Sequence, residues 1–181
     1  ALLTSPEHVT SISGQMGTEV FLMNVGVFGL FILAYYNLIG ASFNGVTMGI
    51  IFCMLATCNS GSHPGNVWPI MLGYVLASFL ASGLSRLAGG SFTFVINAQA
   101  IVVGLCYANG LSPITSKYGW FWGMAAAMMH YLLVTSVPNL HGGFCLYNGG
   151  FTAAVICILL VPELERFCKT KAERKALKAA K

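Results

Sequence analysis

The sequence predicts an all-α, polytopic transmembrane helical bundle, and three observations carry that expectation. Hydrophobic residues make up 56% of the 181 residues and charged residues only 8%, against roughly 25% charged in an ordinary soluble domain. From Val20 to Pro162 there is no Asp or Glu, and Arg86 and Lys117 are the only basic residues. Apolar runs recur throughout that stretch. At roughly 20 residues per spanning helix, it has room for about five or six crossings and none for a soluble catalytic domain.

Six apolar segments follow one another: Val20–Gly40, Gly45–Thr57, Val67–Leu87, Phe92–Asn109, Tyr118–Val137 and Gly149–Val161. In the first, Gly26 and Gly29 share a helix face and invite close packing, while Asn24 and Asn37 read as interhelical hydrogen-bonding residues. Tyr35, Tyr36, Trp68, Trp120 and Trp122 stand near segment ends, where aromatic side chains anchor helices at the membrane surface. The second and sixth segments are short. At roughly 1.5 Å per residue each covers about 20 Å of a layer about 30 Å thick, so each is a half-helix or is completed by the less apolar residues before it. Gly45 and Gly49 in the second share a packing face. In the fourth, Asn97 and Gln99 are two residues apart and point to different faces, so at most one can line a common path. In the fifth, His130 falls near mid-bilayer, where an ionisable residue is a functional candidate and also a ready interhelical hydrogen-bonding group.

The two short segments resemble each other. Phe43-Asn44-Gly45 opens one and Tyr147-Asn148-Gly149 the other, and a slide of 104 residues also pairs Cys53 with Cys157 and Leu55 with Leu159. Matched, short, Gly-interrupted segments point to a site at a repeat interface. Asn44 and Asn148 suit helix N-caps, and the adjoining glycines let a solute approach the first, unpaired N–H groups. The plainer reading of each Asn-Gly is a turn at the membrane surface.

Charge sets the expected orientation. Seven of the nine basic residues are Arg166, Lys169, Lys171, Arg174, Lys175, Lys178 and Lys181, whereas residues 1–165 sum to −2. The net charge of +4 is therefore a tail that attracts anionic lipid on the cytoplasmic side, and it calls for no nucleic-acid partner. Residues 1–19 are expected outside the cytoplasm, 20–165 within the membrane and 166–181 as a basic cytoplasmic tail. That places an odd number of crossings in between: five, plus a re-entrant half-helix formed by the second segment. The two Asn-Gly starts then approach from opposite faces, as in an inverted repeat. Six full crossings are the alternative, with the N-terminus on the other side. With no initiator Met and no basic leader region, the sequence reads as a processed product or part of a longer chain.

Nothing points to catalysis. The cysteines include Cys53, Cys106 and Cys157 in apolar runs, with no C-x-x-C pair, and read as small buried hydrophobes. His63, His130 and His141 lack metal-ligand spacing, and the chain has no Asp. No G-x-x-x-x-G-K-[ST] loop is present, so ATP-driven pumping by this chain is excluded. No metal or cofactor is expected. The polar clusters Asn59–Asn66 and Pro138–Gly143 read as tight turns or as vestibules.

The stretches SFNGVTMGIIFCMLATCNSGSHPGNVWPIMLGYVL from Ser42, and ANGLSPI, His130 and LHGGFCLYNGGFTAAV within Ala108–Leu160, resemble a bacterial polytopic membrane family known only as a domain of unknown function. In that family the unit can be repeated within a longer chain, and the resemblance implies no activity or site residues. More distantly, the aromatic-Asn-Gly run before a small-residue helix looks like the half-repeat of urea-transporter-type channels, which are oligomeric inverted repeats. The fuller signature of those channels is absent.

The function expected from the residues is a membrane transporter or channel for a small polar solute, passive or ion-coupled, in a bacterial inner membrane. Asn44, Gly45, Asn148, Gly149, His130, Asn97 and Gln99 are its candidate binding residues. Five spans enclose little, so a homo-oligomer or a partner membrane subunit is expected. The alternative is a structural or assembly subunit whose polar residues only lock helices together.

Overall fold

A computed structural model describes residues 10–90, 95–142 and 148–180. Every element among them is helical: α1 (Ile12–Met16), α2 (Thr18–Leu38), α3 (Gly45–Ala56), α4 (Pro64–Leu87), α5 (Gln99–Ala108), a single 3-10 turn (Asn109–Leu111), α6 (Ser112–Tyr118), α7 (Trp120–His141), α8 (Asn148–Phe167) and α9 (Lys171–Ala179). By length and composition α2, α4 and the Trp120–Asn139 part of α7 can each cross a membrane.

Local chemistry sets the boundaries. Asn44 caps α3, its side chain accepting the Thr47 N–H. His63 and Asn66 form a reciprocal cap on α4, with Pro64 in the first turn, where its missing N–H costs nothing. Gly119 separates α6 from α7 at φ 112° and Gly17 separates α1 from α2 at φ 94°, a backbone region closed to most residues. Through Asn109–Leu111 the chain stays right-handed, so α5, the 3-10 turn and α6 form one rod interrupted halfway.

The surface is inverted relative to a soluble protein. Leu22, Leu30, Phe52, Phe79, Leu84, Leu132 and Ile158 are exposed, while Asn24, Thr47, Asn66, Asn109, Ser112, His130 and Thr152 are buried. That distribution is compatible with a surrounding hydrocarbon phase, in which apolar side chains meet lipid and polar ones need partners inside.

Specific contacts fix the relative directions. α2 runs parallel to α4, Asn24 bonding the Ser62 carbonyl and Tyr35 the Met71 carbonyl. α4 runs parallel to α7, with Trp68 stacked on Trp120 and Tyr74 edge-on to Tyr131. α7 folds back along the rod, Gly123 lying against Thr115 and Gly104 against Val134. α3 runs with the rod, through Asn44 to Gln99, the Ile50 carbonyl to Cys106, and Thr57 to Asn109. α8 also runs with the rod, Gly149 lying against Tyr107 and Glu165 pairing with Lys117 at 3.0 Å. α2, α4 and α7 therefore point one way, and α3, the rod and α8 the other.

Three expectations change. The two helices that open with Asn-Gly run in the same direction, so they do not enter from opposite faces and the inverted arrangement is not formed. α8 is no half-helix; it continues through Pro162 to Phe167, since a proline removes one hydrogen bond to the carbonyl four residues back without obliging the helix to end. The fourth segment starts later, at Gln99, and runs on through the 3-10 turn to Tyr118, since Asn109-Gly110 is absorbed as a tightened turn. α3 does remain short. Its last turn meets Asn109, halfway along the rod, and the following loop is held by other chain segments: Ile12 N–H donates to the Asn59 carbonyl, and Asn66 Nδ2 to the Gly61 carbonyl at 2.8 Å. Irregular backbone at membrane depth requires that kind of cover.

The first and last described helices lie toward one end of the bundle. α1 contacts Asn59 near the start of α4, and the Arg174 guanidinium of α9 donates to the Tyr118 carbonyl at the turn into α7, beside the Trp68–Trp120 stack. α1 and α9 thus share one end of the bundle, where opposite sides were expected for residues 1–19 and 166–181.

Of the glycines expected at packing faces, Gly29 lies against Leu55, whereas Gly26, Gly45 and Gly49 face open space among the described residues. A closer helix contact is at Gly73, where a Cβ would stand 2.7 Å from the Met124 carbonyl oxygen and 2.9 Å from Ala127 Cβ. Tyr36, expected at the membrane surface, is fully buried with its hydroxyl on Met54.

Candidate functional site

The predicted site residues fall into two groups. At the start of the rod, Asn44 Nδ2 donates to Gln99 Oε1 at 2.9 Å, Gln99 Nε2 reaches Thr47 Oγ1 at 3.5 Å, and Asn97 Nδ2 reaches the Gly40 carbonyl at 3.4 Å. Gly45 follows the cap with no side-chain neighbour within 4 Å. The second group is centred on His130, fully buried halfway along α7. Its Nε2 lies 2.9 Å from the Gly149 carbonyl and 3.0 Å from Thr152 Oγ1, and its Nδ1 lies 2.5 Å from the Tyr74 hydroxyl.

These partners assign the tautomer. A carbonyl only accepts, so Nε2 carries the proton toward Gly149, and Nδ1 accepts from the Tyr74 O–H. Thr152 Oγ1 then donates to the Asn148 carbonyl at 2.7 Å. The imidazole is neutral, with both nitrogens engaged, and it ties α4, α7 and the first turn of α8 together. The absence of a Cβ on Gly149 makes this possible, since one would drive into the Tyr107 ring. His130 and Gly149, both candidate binding residues from the sequence, are brought together here; Asn97 and Gln99 both belong to the other group.

Between and beyond these groups lies a feature the sequence reading missed. On the rod, Gln99, Cys106, Asn109, Ser112 and Ser116 recur at helical spacing and form one polar stripe. Asn44 and Thr47 face its start. Thr57 Oγ1 accepts from Asn109 Nδ2 at 2.6 Å in its middle. Ser62 Oγ meets Ser112 Oγ at 3.2 Å, and Asn66 Nδ2 donates to Ser116 Oγ at 2.9 Å near its end. The seam runs the length of the rod, and none of these side chains carries a formal charge. Asn109 is fully buried and its Oδ1 has no hydrogen-bond partner among the described residues. An unpaired amide oxygen costs about 1–3 kcal/mol.

The signal was present as a spacing of seven, three, three and four residues, but Asn109-Gly110 read as the end of a segment and hid the continuity. His63 and Asn66, in a cluster read as a turn or vestibule, serve as the α4 cap; Asn66 also joins the seam. Asn37 bonds its own helix at the Leu33 carbonyl, while Asn24 does bridge to Ser62. The side chain of His141 lies outside the described residues.

A family profile matches residues 2–166, which include the seam and the His130 group. The chain belongs to the family described as Protein of unknown function (DUF1576). No curated protein and no solved structure matches it. The DUF1576 match agrees with the resemblance to a family of unknown function and extends over nearly the whole chain. DUF1576 membership brings no activity, ligand or bound group to either cluster.

Proposed function

We propose that the chain is a membrane transporter or channel unit that passes a small, neutral, hydrogen-bonding solute along the seam between α3 and the α5–α6 rod. The observation that supports this most is the uncharged polar stripe from Asn44 and Gln99 to Asn66 and Ser116, with the unpaired Asn109 oxygen halfway. Amide and hydroxyl groups can exchange hydrogen bonds with a passing solute at little net cost. A stripe without carboxylates or ammonium groups favours neutral solutes over ions, and passive passage over coupled exchange. The seam is closed by direct side-chain pairs, so passage requires them to part. Three long spans enclose little by themselves; a homo-oligomer or partner membrane subunit completes the wall. By the positive-inside rule the end carrying α9 and α1 is the cytoplasmic one, in a bacterial inner membrane.

The second reading is a non-transporting structural or assembly subunit. The direct pairing of most seam residues and the complete hydrogen bonding of His130 favour it, because such bonds also lock helices.

Proteoliposome flux with water, urea and glycerol separates the two. The transporter reading expects flux above protein-free liposomes and a loss of about tenfold, equivalent to one hydrogen bond of roughly 1.4 kcal/mol, in Asn109→Leu and Gln99→Leu. Absence of flux for all three solutes supports the structural reading. Flux that survives both substitutions moves the path elsewhere.

A further inference from the structure

The tail is built into the fold. α8 ends at the exposed Phe167, a three-residue turn follows, and α9 begins at a reciprocal cap in which Thr170 and Glu173 bond each other. Arg174 then bonds the Tyr118 carbonyl, and both Lys171 and Arg174 close over Gly119, within 3.8 Å of where a side chain there would begin. The adjoining Trp68 and Trp120 are partly exposed and stacked, centroids 6.2 Å apart, as aromatic residues are at headgroup level. α9 therefore lies against the membrane surface end of the bundle.

At roughly 100° per residue, Lys171, Arg174, Lys175 and Lys178 fall within an arc of about 100° on α9. Among the described residues Lys117 is the one cation within ion-pair distance of a carboxylate, that of Glu165. The Glu173 carboxylate is already engaged by the Thr170 N–H and hydroxyl. Lys171 is crowded: burial first, and then the Arg174 charge, push its ammonium below the usual lysine range. At the elbow between α8 and α9 a cleft of about 490 Å³ is lined by Lys117, Tyr118, Arg166, Lys169 and Thr170, together with Glu165 and Glu173. Glu165 pairs with Lys117 and Glu173 is engaged by the Thr170 cap, so among the described residues neither Arg166 nor Lys169 has a carboxylate within ion-pair distance.

We propose that the elbow between α8 and α9 is a headgroup site for an anionic phospholipid, whose phosphodiester is held in the cleft by Arg166 and Lys169. Lys171 adds to the field from α9. The acyl chains of such a lipid run along the apolar outer face of α8, where Leu159 and Phe167 are exposed. This goes beyond general attraction of a basic tail to a charged surface, because two side chains in a defined cleft carry more of the affinity than two equally charged ones on the open helix.

The test uses the full chain reconstituted in nanodiscs of phosphatidylcholine with or without phosphatidylglycerol. Retained phosphatidylglycerol is then counted by native mass spectrometry. The Arg166→Gln/Lys169→Gln variant is compared with Lys175→Gln/Lys178→Gln, which removes the same charge away from the cleft. At about fivefold per basic residue near an anionic surface, the tail pair is expected to lose at most about 25-fold and the elbow pair clearly more, with unchanged unfolding midpoints. Equal losses mean diffuse attraction and overturn the site. Inorganic phosphate displacing the lipid at millimolar concentration, or equal retention of phosphatidylcholine, overturns the lipid assignment.

Discussion

Asn109 donates through Nδ2 to Thr57 Oγ1 at 2.6 Å, joining the interrupted centre of the rod to the C-terminal end of α3. Its other amide atom is unpaired and buried. Asn109→Ser puts a hydroxyl in place of the amide and removes the unpaired oxygen, whereas Asn109→Leu leaves the Thr57 hydroxyl only its bond to the Met54 carbonyl. Unfolding in detergent by a chemical denaturant is expected to rank them: Asn109→Ser within about 1 kcal/mol of the parent and Asn109→Leu lower by about 1–2 kcal/mol. Equal effects would show that the hydrogen bond to Thr57 contributes nothing.

Gly123 lies against Thr115 across the α6–α7 hairpin, and a Cβ there would overlap the Thr115 hydroxyl. Gly123→Ala is expected to destabilise by about 1–3 kcal/mol through overpacking. Adding Thr115→Ala should recover only part of that loss: it removes the overlapping hydroxyl, which has no hydrogen-bond partner among the described residues, but leaves the Thr115 Cβ 2.9 Å from the new methyl. A double-mutant cycle on thermal unfolding gives the coupling directly.

Tyr74→Phe leaves His130 Nδ1 without its donor, and His130→Leu removes the bond to Gly149 as well. Interhelical hydrogen bonds in membranes average about 0.6 kcal/mol, so Tyr74→Phe is expected to cost about 0.5–1.5 kcal/mol and His130→Leu more. Nitrogen shifts of labelled histidine should report a neutral ring protonated at Nε2 in the parent. A ring protonated at Nδ1 would reverse the hydrogen-bond assignment.

The cap of α9 should depend on acid. Bonds from the Thr170 N–H and hydroxyl hold the Glu173 carboxyl below the usual glutamate range. A lowered native value means the cap contributes fully above the ordinary glutamate range and is lost as pH falls through the native value. The Lys117 ammonium is held above its usual range, chiefly by its bond to Glu165, so its contribution is complete at neutral pH and fades only in strong base. Backbone shifts of residues 170–173 are expected to move only on the acid side. Movement near neutral pH would contradict the cap.

Much of the architecture could be read from hydropathy because lipid penalises charge so heavily that an uncharged stretch of this length has few alternatives. α2, α4 and α7 start and stop within a few residues of the expected positions. What hydropathy does not encode is direction or neighbourhood. Asn44 and Asn148 share a sequence motif, yet Asn44 is the cap of α3 while Asn148 is the first residue of α8, and their helices run the same way, a relation settled by which side chains meet across the rod. His130 stood out in the sequence as a mid-span ionisable group, but its bond to the Gly149 carbonyl was not legible there. The Asn109 seam was not legible either, since its members, Ser112 and Ser116, are individually unremarkable and gain meaning only from one unbroken helical phase.

The short length of α3 constrains how this chain can vary. Its last turn abuts Asn109, and the loop behind it is pinned by Ile12, Asn24 and Asn66. One added turn would advance that loop by about 5.4 Å, tearing all three anchors at once. Insertions should therefore be rejected between Thr57 and His63 and accepted near Gly89, where the chain turns in the open with no such tethers.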